Sequence, residues 1–419
     1  MQAASDATAL MMAKLAPTLD SSTLQTKAND YFKAIFHRPE ANGLTINASY
    51  NPNASAGSQV VITASSDVKT NFTGLMGVPS MHIGVQSFVN WGNTKLRVAL
   101  VLDTTGSMAG TRIANLQSAA NQLIDLVVSD TQTPYYSKIA IVPYSNSVNP
   151  GTFTTAVRGT PVTAVGSPPQ SACIGQPGCT KIQFTSGTGS TRTFSVSNCV
   201  SERTGPEAFT DTAYSATSGK VGWVYPPASG NGCIGQTIQP LTSNKTTLHN
   251  EIATLTAANS TAGHIGLAWG WYTISPNWAA LFPTGSQPAA YGTSHLLKVV
   301  ILMTDGAFNT AYCNGVISAT SSATDGTSGN LSDHQACASP NGNAFAQAAA
   351  LCNNMKHMAN PVIIYTVGFD VSSDASAQSL LANCATDASH VYFPADDGHS
   401  LQLAFQQIAS DLNRLRISK

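Results

Sequence analysis

The sequence predicts an α/β fold built on an open, mostly parallel sheet that is doubly wound, with helices on both faces. Short apolar runs such as KIAIV at Lys138–Val142 are typical of strands that are buried on both sides. Segments with apolar residues at helical spacing lie between these runs. This alternation indicates an α/β sheet over residues 93–419, and residues 1–92 are predicted to form a separate small α+β region.

The region 1–92 begins with two predicted helices. The first covers residues 2–16 and ends at Pro17, and the second runs from about Ser22 to the Arg38–Pro39 step. The expected apolar face of the first helix consists of Ala3, Ala7, Leu10, Met11 and Leu15. The pattern then changes to strands, which we expect at 44–48, 60–64 and 81–89, with an Asn/Pro/Gly/Ser loop between the first two.

The larger region contains five predicted strands and five predicted helices. The strands are expected at 97–102, 138–142, 298–303, 362–367 and 391–393. The helices are expected at 113–127, 265–271, 343–358, 374–384 and 398–416. Two polar stretches at about 147–243 and 307–342 interrupt this order, and we interpret them as insertions at the sheet edge because structureless loops of this length are rare inside a domain. Runs at 181–185 and 191–196 indicate a hairpin in the first insertion.

Charge and cysteine content narrow the class of protein. Only 10% of the 419 residues are charged and the formal net charge is −1, so the basic surface that nucleic-acid binding needs is absent.

The eight cysteines contain no CxxC pair, which argues against a zinc ribbon and favours disulfides formed in an oxidising compartment. The sequence does not determine their connectivity. Proximity along the chain suggests the pairs Cys173–Cys179, Cys199–Cys233, Cys313–Cys337 and Cys352–Cys384.

The N-terminal residues do not resemble an export signal. The segment MQAASDATALMMAKLAP has an early acidic residue, Asp6, and no basic start, and no apolar run of the chain is long enough to span a bilayer. For a protein of an oxidising compartment, we interpret this as an N-terminus that has been truncated.

The stretch VALVLDTTGSM at Val98–Met108 carries the most specific chemical signal. It is an apolar strand followed at once by Asp103, Thr105 and Ser107, whose side-chain oxygens at alternate positions can converge on a hard divalent cation. The alternative is ordinary turn and helix-cap chemistry. Because ligands bind at the carboxyl ends of parallel strands, we also expect Asp305 at the end of 298–303 and Thr261 before a helix to contribute.

These five residues resemble the metal-ion-dependent adhesion site (MIDAS) of von Willebrand factor A (vWA) domains. The resemblance covers about 95–413 and implies a Rossmann-like sheet, with Thr105, Ser107 and Thr261 as direct ligands and with Asp103 and Asp305 acting through water. Thr105 stands where Ser is more frequent, and the loop of Thr261 also offers Ser260 and Thr256. The implied cation is Mg²⁺, with Ca²⁺ or Mn²⁺ as alternatives, and the implied partner is a protein whose acidic side chain completes the coordination.

The flanking sequence is similar to the TadG-like vWA proteins of Flp/Tad (tight adherence) pilus assembly. The similar segments are the helix Ile265–Trp271 with Ser275–Pro276, the strand Tyr365–Phe369, the closing helix at Ala404–Phe405 and the opening residues Gln2–Ala7. This resemblance implies an extracytoplasmic pilus-assembly or adhesion component without catalytic activity. Members of the group have an N-terminal transmembrane helix, so contact with a membrane is expected only through an anchor that this sequence lacks.

Two other functions remain open from the sequence. One is a structural, minor pilin-like subunit whose metal site is not essential. The other is a phosphotransferase-type hydrolase, because Asp103–Ser107 resembles the Asp-Lys-Thr-Gly-Thr motif, but the motif Lys is absent and so are the GxSxG, HExxH and P-loop signatures. We expect His264 to lie at a helix start or on the surface, Trp269 and Trp271 to lie in the core, and Asp396–Asp397 to form a solvated turn.

Overall fold

The computed structural model describes residues 1–54, 57–70, 76–91, 94–130, 137–161, 181–185, 191–215, 218–224, 232–313, 316–317, 339–394 and 397–418. The chain forms two compact units. The first is built from Met1–Lys95 with the short segments 129–130 and 413–418, and the second from Leu96–Val128 and Ser137–Leu412. Among the described residues, no helix combines the length and the apolar character that crossing a membrane would require.

The first unit packs two helices on a three-stranded antiparallel sheet. Its elements are α1 (Gln2–Leu15), α2 (Ser21–Ile35), β1 (Ala41–Ala54), β2 (Gly57–Lys69) and β3 (Ser80–Trp91), and the strand order is β1-β2-β3. Asp20 starts α2, because its carboxylate accepts hydrogen bonds from the backbone N–H groups of Ser22 and Thr23, both at 2.9 Å.

Two expectations for this unit are wrong in detail. The buried face of α1 consists of Ala4, Ser5, Thr8, Ala9 and Met12, whereas Leu10 and Met11 are exposed, because small side chains permit close packing of the helix. The strands β1 and β2 also extend through most of the expected loop. Backbone pairing continues through polar positions such as Asn51↔Gln59, since ladder hydrogen bonds do not require apolar side chains.

The strands that follow β3 include those of a second, larger sheet. In chain order they are β4 (Lys95–Asp103), β5 (Ser137–Tyr144), β6 (Lys181–Thr185), β7 (Thr191–Ser195), β8 (Val200–Arg203), β9 (Val221–Trp223), β10 (Gln239–Thr242), β11 (Leu296–Thr304), β12 (Tyr312–Cys313), β13 (Val316–Ile317), β14 (Ile363–Gly368) and β15 (Val391–Tyr392). The helices are α3 (Thr111–Val127), α4 (Thr154–Val157), α5 (Lys245–Ala253), α6 (Gly263–Ile274), α7 (Ala344–His357), α8 (Ala375–Cys384) and α9 (Gly398–Ser418).

Six of these strands form a mostly parallel sheet in the order β10-β5-β4-β11-β14-β15. The pairs β4–β5, β11–β14 and β14–β15 are parallel, and only the edge strand β10 is seen to pair antiparallel, with β5, in the described part of the sheet. The last residues of β4 and β5 are in register, Asp103 with Tyr144, and Thr304 of β11 is in register with Gly368 of β14. The carboxyl ends of these strands therefore lie along one edge of the sheet.

Alternate residues of β4 enter two different hydrophobic clusters. Val98, Leu100 and Leu102 pack with residues of α3, α5 and α9, whereas Ala99 and Val101 pack with residues of α6, α7 and α8. Gly270 permits the close approach of α6, because a Cβ atom at this position would collide with Val101. The apolar run in the sequence is thus explained by burial on both faces.

The predicted insertion at 147–243 contains more of the fold than expected. The hairpin of β6 and β7 is present, and β8 pairs with β9, but β10 at the end of this range is the edge strand of the main sheet. Its sequence QPLT is too short and too polar to be recognised as a sheet strand, and only pairing with β5 defines it. The helix α5 that follows was likewise not predicted.

Two of the predicted disulfides are present. Cys199–Cys233 closes part of the first insertion, and Cys352–Cys384 joins α7 to α8. Cys313 is buried at the end of β12. The remaining suggested pairs involve Cys173, Cys179 and Cys337, which lie outside the described residues, as does most of the second predicted insertion.

Candidate metal centre

Asp103 lies at the carboxyl end of β4 and is fully buried. Its Oδ1 atom accepts a hydrogen bond from the backbone N–H of Thr105 at 2.9 Å, and its Oδ2 atom accepts one from the Thr304 hydroxyl at 2.7 Å. The Tyr144 hydroxyl lies 3.1 Å from the same Oδ2 atom. Burial raises the pKa of Asp103, and these hydrogen bonds oppose the rise. Neutral donors from two neighbouring strands, β5 and β11, and from the loop after β4 therefore hold this carboxylate in place.

Thr105 and Ser107 present two adjacent hydroxyl groups next to this carboxylate. Their Oγ1 and Oγ atoms are 3.0 Å apart, and the Ser107 hydroxyl donates to Asp305 Oδ1 at 2.7 Å. Thr105 is buried, whereas Ser107 lies in the 3₁₀ turn Gly106–Met108 and is exposed. The cluster is thus open to solvent on the side of Ser107.

Asp305 directly follows β11, and its side chain is only 1% exposed. Burial and the nearby charge of Asp103 raise its pKa to about 7, although hydrogen bonds from Ser107 and the charge of Arg112 oppose this. Two buried carboxylates that raise the cost of ionising one another form a negative site. A bound divalent cation would stabilise both in their ionised form.

Thr261 lies on a loop that is joined to the Asp103 loop by backbone hydrogen bonds. Ala258 N–H donates to Thr104 O, and Gly106 N–H donates to Asn259 O, both at 2.9 Å. Glycine favours this close approach at position 106, because a Cβ atom would lie 3.2 Å from Asn259 O, which is a tight contact. The backbone N–H of Thr261 donates to Asn309 Oδ1 at 2.8 Å, which also connects this loop to the one after β11.

The structure distinguishes the three hydroxyl groups that the Thr261 loop offers. Ser260 Oγ accepts a hydrogen bond from Thr310 at 2.7 Å, and Thr256 Oγ1 accepts one from Gln236. Among the described residues, the Thr261 hydroxyl has no hydrogen-bond partner, and it makes no direct hydrogen bond to the other four predicted ligands. Asp103, Thr105, Ser107 and Asp305 are therefore brought together, and Thr261 lies one loop away on the same edge.

Arg112 and Asp370 also lie at this site, although neither was predicted from the sequence. Arg112, in the first turn of α3, donates to Asp305 Oδ2 at 3.3 Å and to Asp370 Oδ2 at 2.5 Å. Asp370 comes two residues after β14, at the same sheet edge. The position of Asp370 after a predicted strand was a signal that could have placed it at the site. Arg112 has the sequence context of an ordinary solvated helix residue, so no such signal existed for it. Tyr144 and Thr304 were likewise missed, although both follow predicted strands by no more than two residues and end the observed β5 and β11.

His264 lies at a helix start, which is one of the two predicted positions, and it is buried instead of lying on the surface. It is in the first turn of α6 and only 1% exposed, and its Nε2 atom is 3.7 Å from Glu202 Oε1. Trp269 and Trp271 lie in the core, as predicted. Asp397 accepts the backbone N–H of Ser400 at 2.7 Å in the first turn of α9, and Asp396 lies outside the described residues.

The donor set fits a hard divalent cation. The described residues contain no group of three or more His, Cys, Asp or Glu side chains that could hold a metal. The cluster instead combines two carboxylates with neutral hydroxyls, and all of these ligands are oxygens, which suits Mg²⁺, Ca²⁺ or Mn²⁺ and does not suit Zn²⁺.

Solved structures of three pilus proteins are distantly similar to the chain. The vWF domain of the type V pili tip protein Mfa5 from Porphyromonas gingivalis is 14% identical, with 78% of this chain and 97% of that chain covered and a TM-score of 0.40. The PilB minor pilin from Streptococcus sanguinis is 13% identical, with 91% of this chain and 80% of that chain covered and a TM-score of 0.38. The pilus adhesin RrgA from Streptococcus pneumoniae is 12% identical, with 90% of this chain and 50% of that chain covered and a TM-score of 0.38. No protein-family model and no curated protein sequence matches the chain.

Proposed function

We propose that this protein binds a divalent cation at the Asp103–Asp305 edge of the sheet and uses it to hold an acidic side chain of a protein partner. The observation that carries the proposal is the cluster itself. Two buried carboxylates lie beside two hydroxyls that are 3.0 Å apart, and one of these hydroxyls, that of Ser107, is exposed.

The residues Thr105, Ser107 and Thr261 would hold the cation directly, and Asp103 and Asp305 would hold it through water. Several contacts support this division. The two Asp103 oxygens already accept hydrogen bonds from protein donors, and the Thr261 hydroxyl has no partner among the described residues. A cation with neutral direct ligands stays electrophilic and gains most from a carboxylate supplied by a partner. Mg²⁺ is the preferred ion.

The finer assignment follows from the resemblance of the motifs. We propose a doubly wound vWA domain that is attached to a membrane and acts outside the cytoplasm as a metal-dependent adhesion component of Flp/Tad-type pilus assembly. Two disulfides in the described residues agree with an oxidising compartment. The role is binding and not catalysis. Asp103, the nucleophile that a phosphotransferase would need, is fully buried with both oxygens hydrogen-bonded.

Isothermal titration with Mg²⁺ and with Mn²⁺ tests the cation site. We expect saturable binding to the wild type that is lost in Asp103→Ala, because this change removes a buried charge and the anchor of the Thr105 backbone. Asp125→Ala is the matched control, since Asp125 is an exposed carboxylate on α3 and its removal changes the net charge equally.

Absence of cation binding to the folded wild type would contradict the proposal. It would favour the structural, minor pilin-like role, for which the Arg112–Asp305 ion pair already provides a counter-charge without metal. A phosphatase assay with a generic phosphomonoester checks the catalytic alternative, and we expect no turnover above the Asp103→Ala variant.

A further inference from the structure

We propose that Arg112 is a built-in counter-ion that competes with the cation for Asp305, and that Asp370 sets the strength of this competition by sharing the guanidinium group. This inference rests on the proposed cation site and adds the residues that regulate its affinity. It assigns a role to a charged pair that the coordination scheme above does not use.

The contacts place Arg112 between two carboxylates. Its Nη1 atom lies 3.3 Å from Asp305 Oδ2, and its Nη2 atom lies 2.5 Å from Asp370 Oδ2. Asp305 thus accepts a hydrogen bond from Ser107 through Oδ1 and one from Arg112 through Oδ2. The side chain of Arg112 is 25% exposed and that of Asp370 is 34% exposed, compared with 1% for Asp305. The guanidinium group therefore bridges the buried site and solvent.

The position of Asp370 is determined by the backbone and not by this ion pair alone. Phe369 N–H donates to Thr304 O at 2.8 Å, which continues the pairing of β14 with β11 beyond Gly368. Asp370 then adopts a left-handed backbone conformation with φ of 55°, and its N–H donates to Pro394 O at 3.0 Å. A side chain held in this way can retain Arg112 whether or not the guanidinium also contacts Asp305.

The charges give the direction of the effect. A cation beside Asp103 and Asp305 is attracted by both carboxylates and repelled by the guanidinium group, which contacts one of them directly. Arg112 therefore weakens cation binding. Asp370 reduces this repulsion, because it offers the guanidinium a shorter ion pair than Asp305 does. Removing Arg112 should tighten cation binding, and removing the charge of Asp370 should weaken it.

The test is Mn²⁺ binding to the full chain at mildly alkaline pH, measured by isothermal titration and by the loss of the free Mn²⁺ electron paramagnetic resonance signal. For Arg112→Gln we expect a Kd lower by on the order of tenfold, as one nearby charge in a partly buried site implies. Asp370→Asn should raise Kd by roughly threefold or more, and this effect should shrink when Arg112→Gln is also present. Arg112→Lys keeps the charge and should stay near the wild type.

Arg158→Gln is the matched control. It also removes one arginine of this unit, but its guanidinium lies over the Trp223 ring and bonds Ser197 O instead of a site residue. Its Kd should equal that of the wild type. Thermal unfolding in the presence of a chelator checks that each variant is folded, and Arg112→Lys and Asp370→Asn keep the test decisive if Arg112→Gln does not fold.

The outcomes separate this inference from the proposed function. Equal or weaker Mn²⁺ binding by folded Arg112→Gln, with normal binding by the wild type, would overturn the counter-ion role and leave the cation site intact. Tighter Mn²⁺ binding by Arg112→Gln than by the wild type would support the counter-ion role. Absence of binding in the wild type and in every variant would reject the cation site itself, and the counter-ion role with it.

Discussion

Two groups of buried charged side chains in the larger unit differ in how their charges are balanced. At the metal centre, Asp305 and Asp370 both contact the guanidinium group of Arg112, and the nearby Asp103 accepts its hydrogen bonds from neutral groups. Beneath the β8–β9 pair, Glu202 is accompanied by Arg203 and His264, all of them less than 9% exposed. Like charges at an open sheet edge favour an added cation, whereas opposite charges in an enclosed cluster can compensate one another.

The contacts of the second group indicate a structural role. Glu202 Oε1 accepts the backbone N–H of Tyr312 at 2.8 Å and lies 3.7 Å from His264, and Arg203 donates to Thr210 O at 3.2 Å. Strand β8 is thereby connected to β12 and α6. Burial of charge alone therefore does not identify a binding site, and an excess of charge of one sign next to an exposed ligand atom is more informative.

The largest expected effect tests the structural group. Glu202→Ala should lower the free energy of unfolding by about 3–5 kcal/mol, because it removes the acidic neighbour of buried His264 and the acceptor of the Tyr312 N–H and the Gln347 amide. Urea unfolding measures this change. Cation affinity of the folded variant should stay as in the wild type, and a parallel loss of both would show that the two groups are not independent. Glu202→Gln, which keeps an acceptor for Tyr312, is the matched control.

The next effect concerns pH and belongs to the metal centre. The pKa of Asp305 is raised from 3.8 to about 7, so the folded state holds this proton more tightly than the unfolded chain does. The associated stability is fully present below about pH 4 and is lost as pH rises through about 7. In a chelator, the free energy of unfolding should therefore fall across this range by a few kcal/mol, at about 1.4 kcal/mol per pKa unit.

Urea unfolding as a function of pH measures this slope, and Asp305→Asn should remove a large part of it. Mg²⁺ at a pH above 7 should restore the lost stability, because the cation binds the ionised carboxylates. If the free energy of unfolding without Mg²⁺ does not change between pH 3.8 and about 7, the assignment of two mutually repelling carboxylates is contradicted.

The smallest effect tests whether packing on α6 reaches the metal centre. A Cβ atom at Gly266 would lie 2.5 Å from Tyr144 Cδ1, and the Tyr144 hydroxyl lies 3.1 Å from Asp103 Oδ2. Gly266→Ala should therefore cost about 1–3 kcal/mol of stability through overpacking and also weaken Mg²⁺ binding. Gly285→Ala is the control, since nothing lies within 4 Å of a Cβ atom there. A stability loss with unchanged cation affinity would show that Tyr144 can move without disturbing Asp103.

Much of the candidate site was predictable because it depends on strand ends. Asp103 and Asp305 each follow an apolar run, and parallel strands place their carboxyl ends on one edge, so local pattern and general topology sufficed to bring the two together. Ser107 and Thr105 followed from their spacing to Asp103. The cation itself and its partner stay proposals.

Other features depend on contacts between segments far apart in sequence. Arg112 and Asp370 are 258 residues apart, and their pairing requires α3 and the loop after β14 to meet. The strand β10 is defined only by pairing with β5, and the buried face of α1 consists mostly of small residues that hydrophobicity does not distinguish from surface ones.

Short-range periodicity in the sequence predicts the alternation of buried strands and helices and the side chains that end each strand. The sharing of charges depends instead on the packing of distant segments. A carboxylate acquires its pKa and its counter-ion from burial and from neighbours brought in by other loops, and these are properties of the packed molecule. For this reason Asp103 and Asp305 are visible in the sequence, whereas the balance that Arg112, Asp370, Glu202 and His264 impose is visible only in three dimensions.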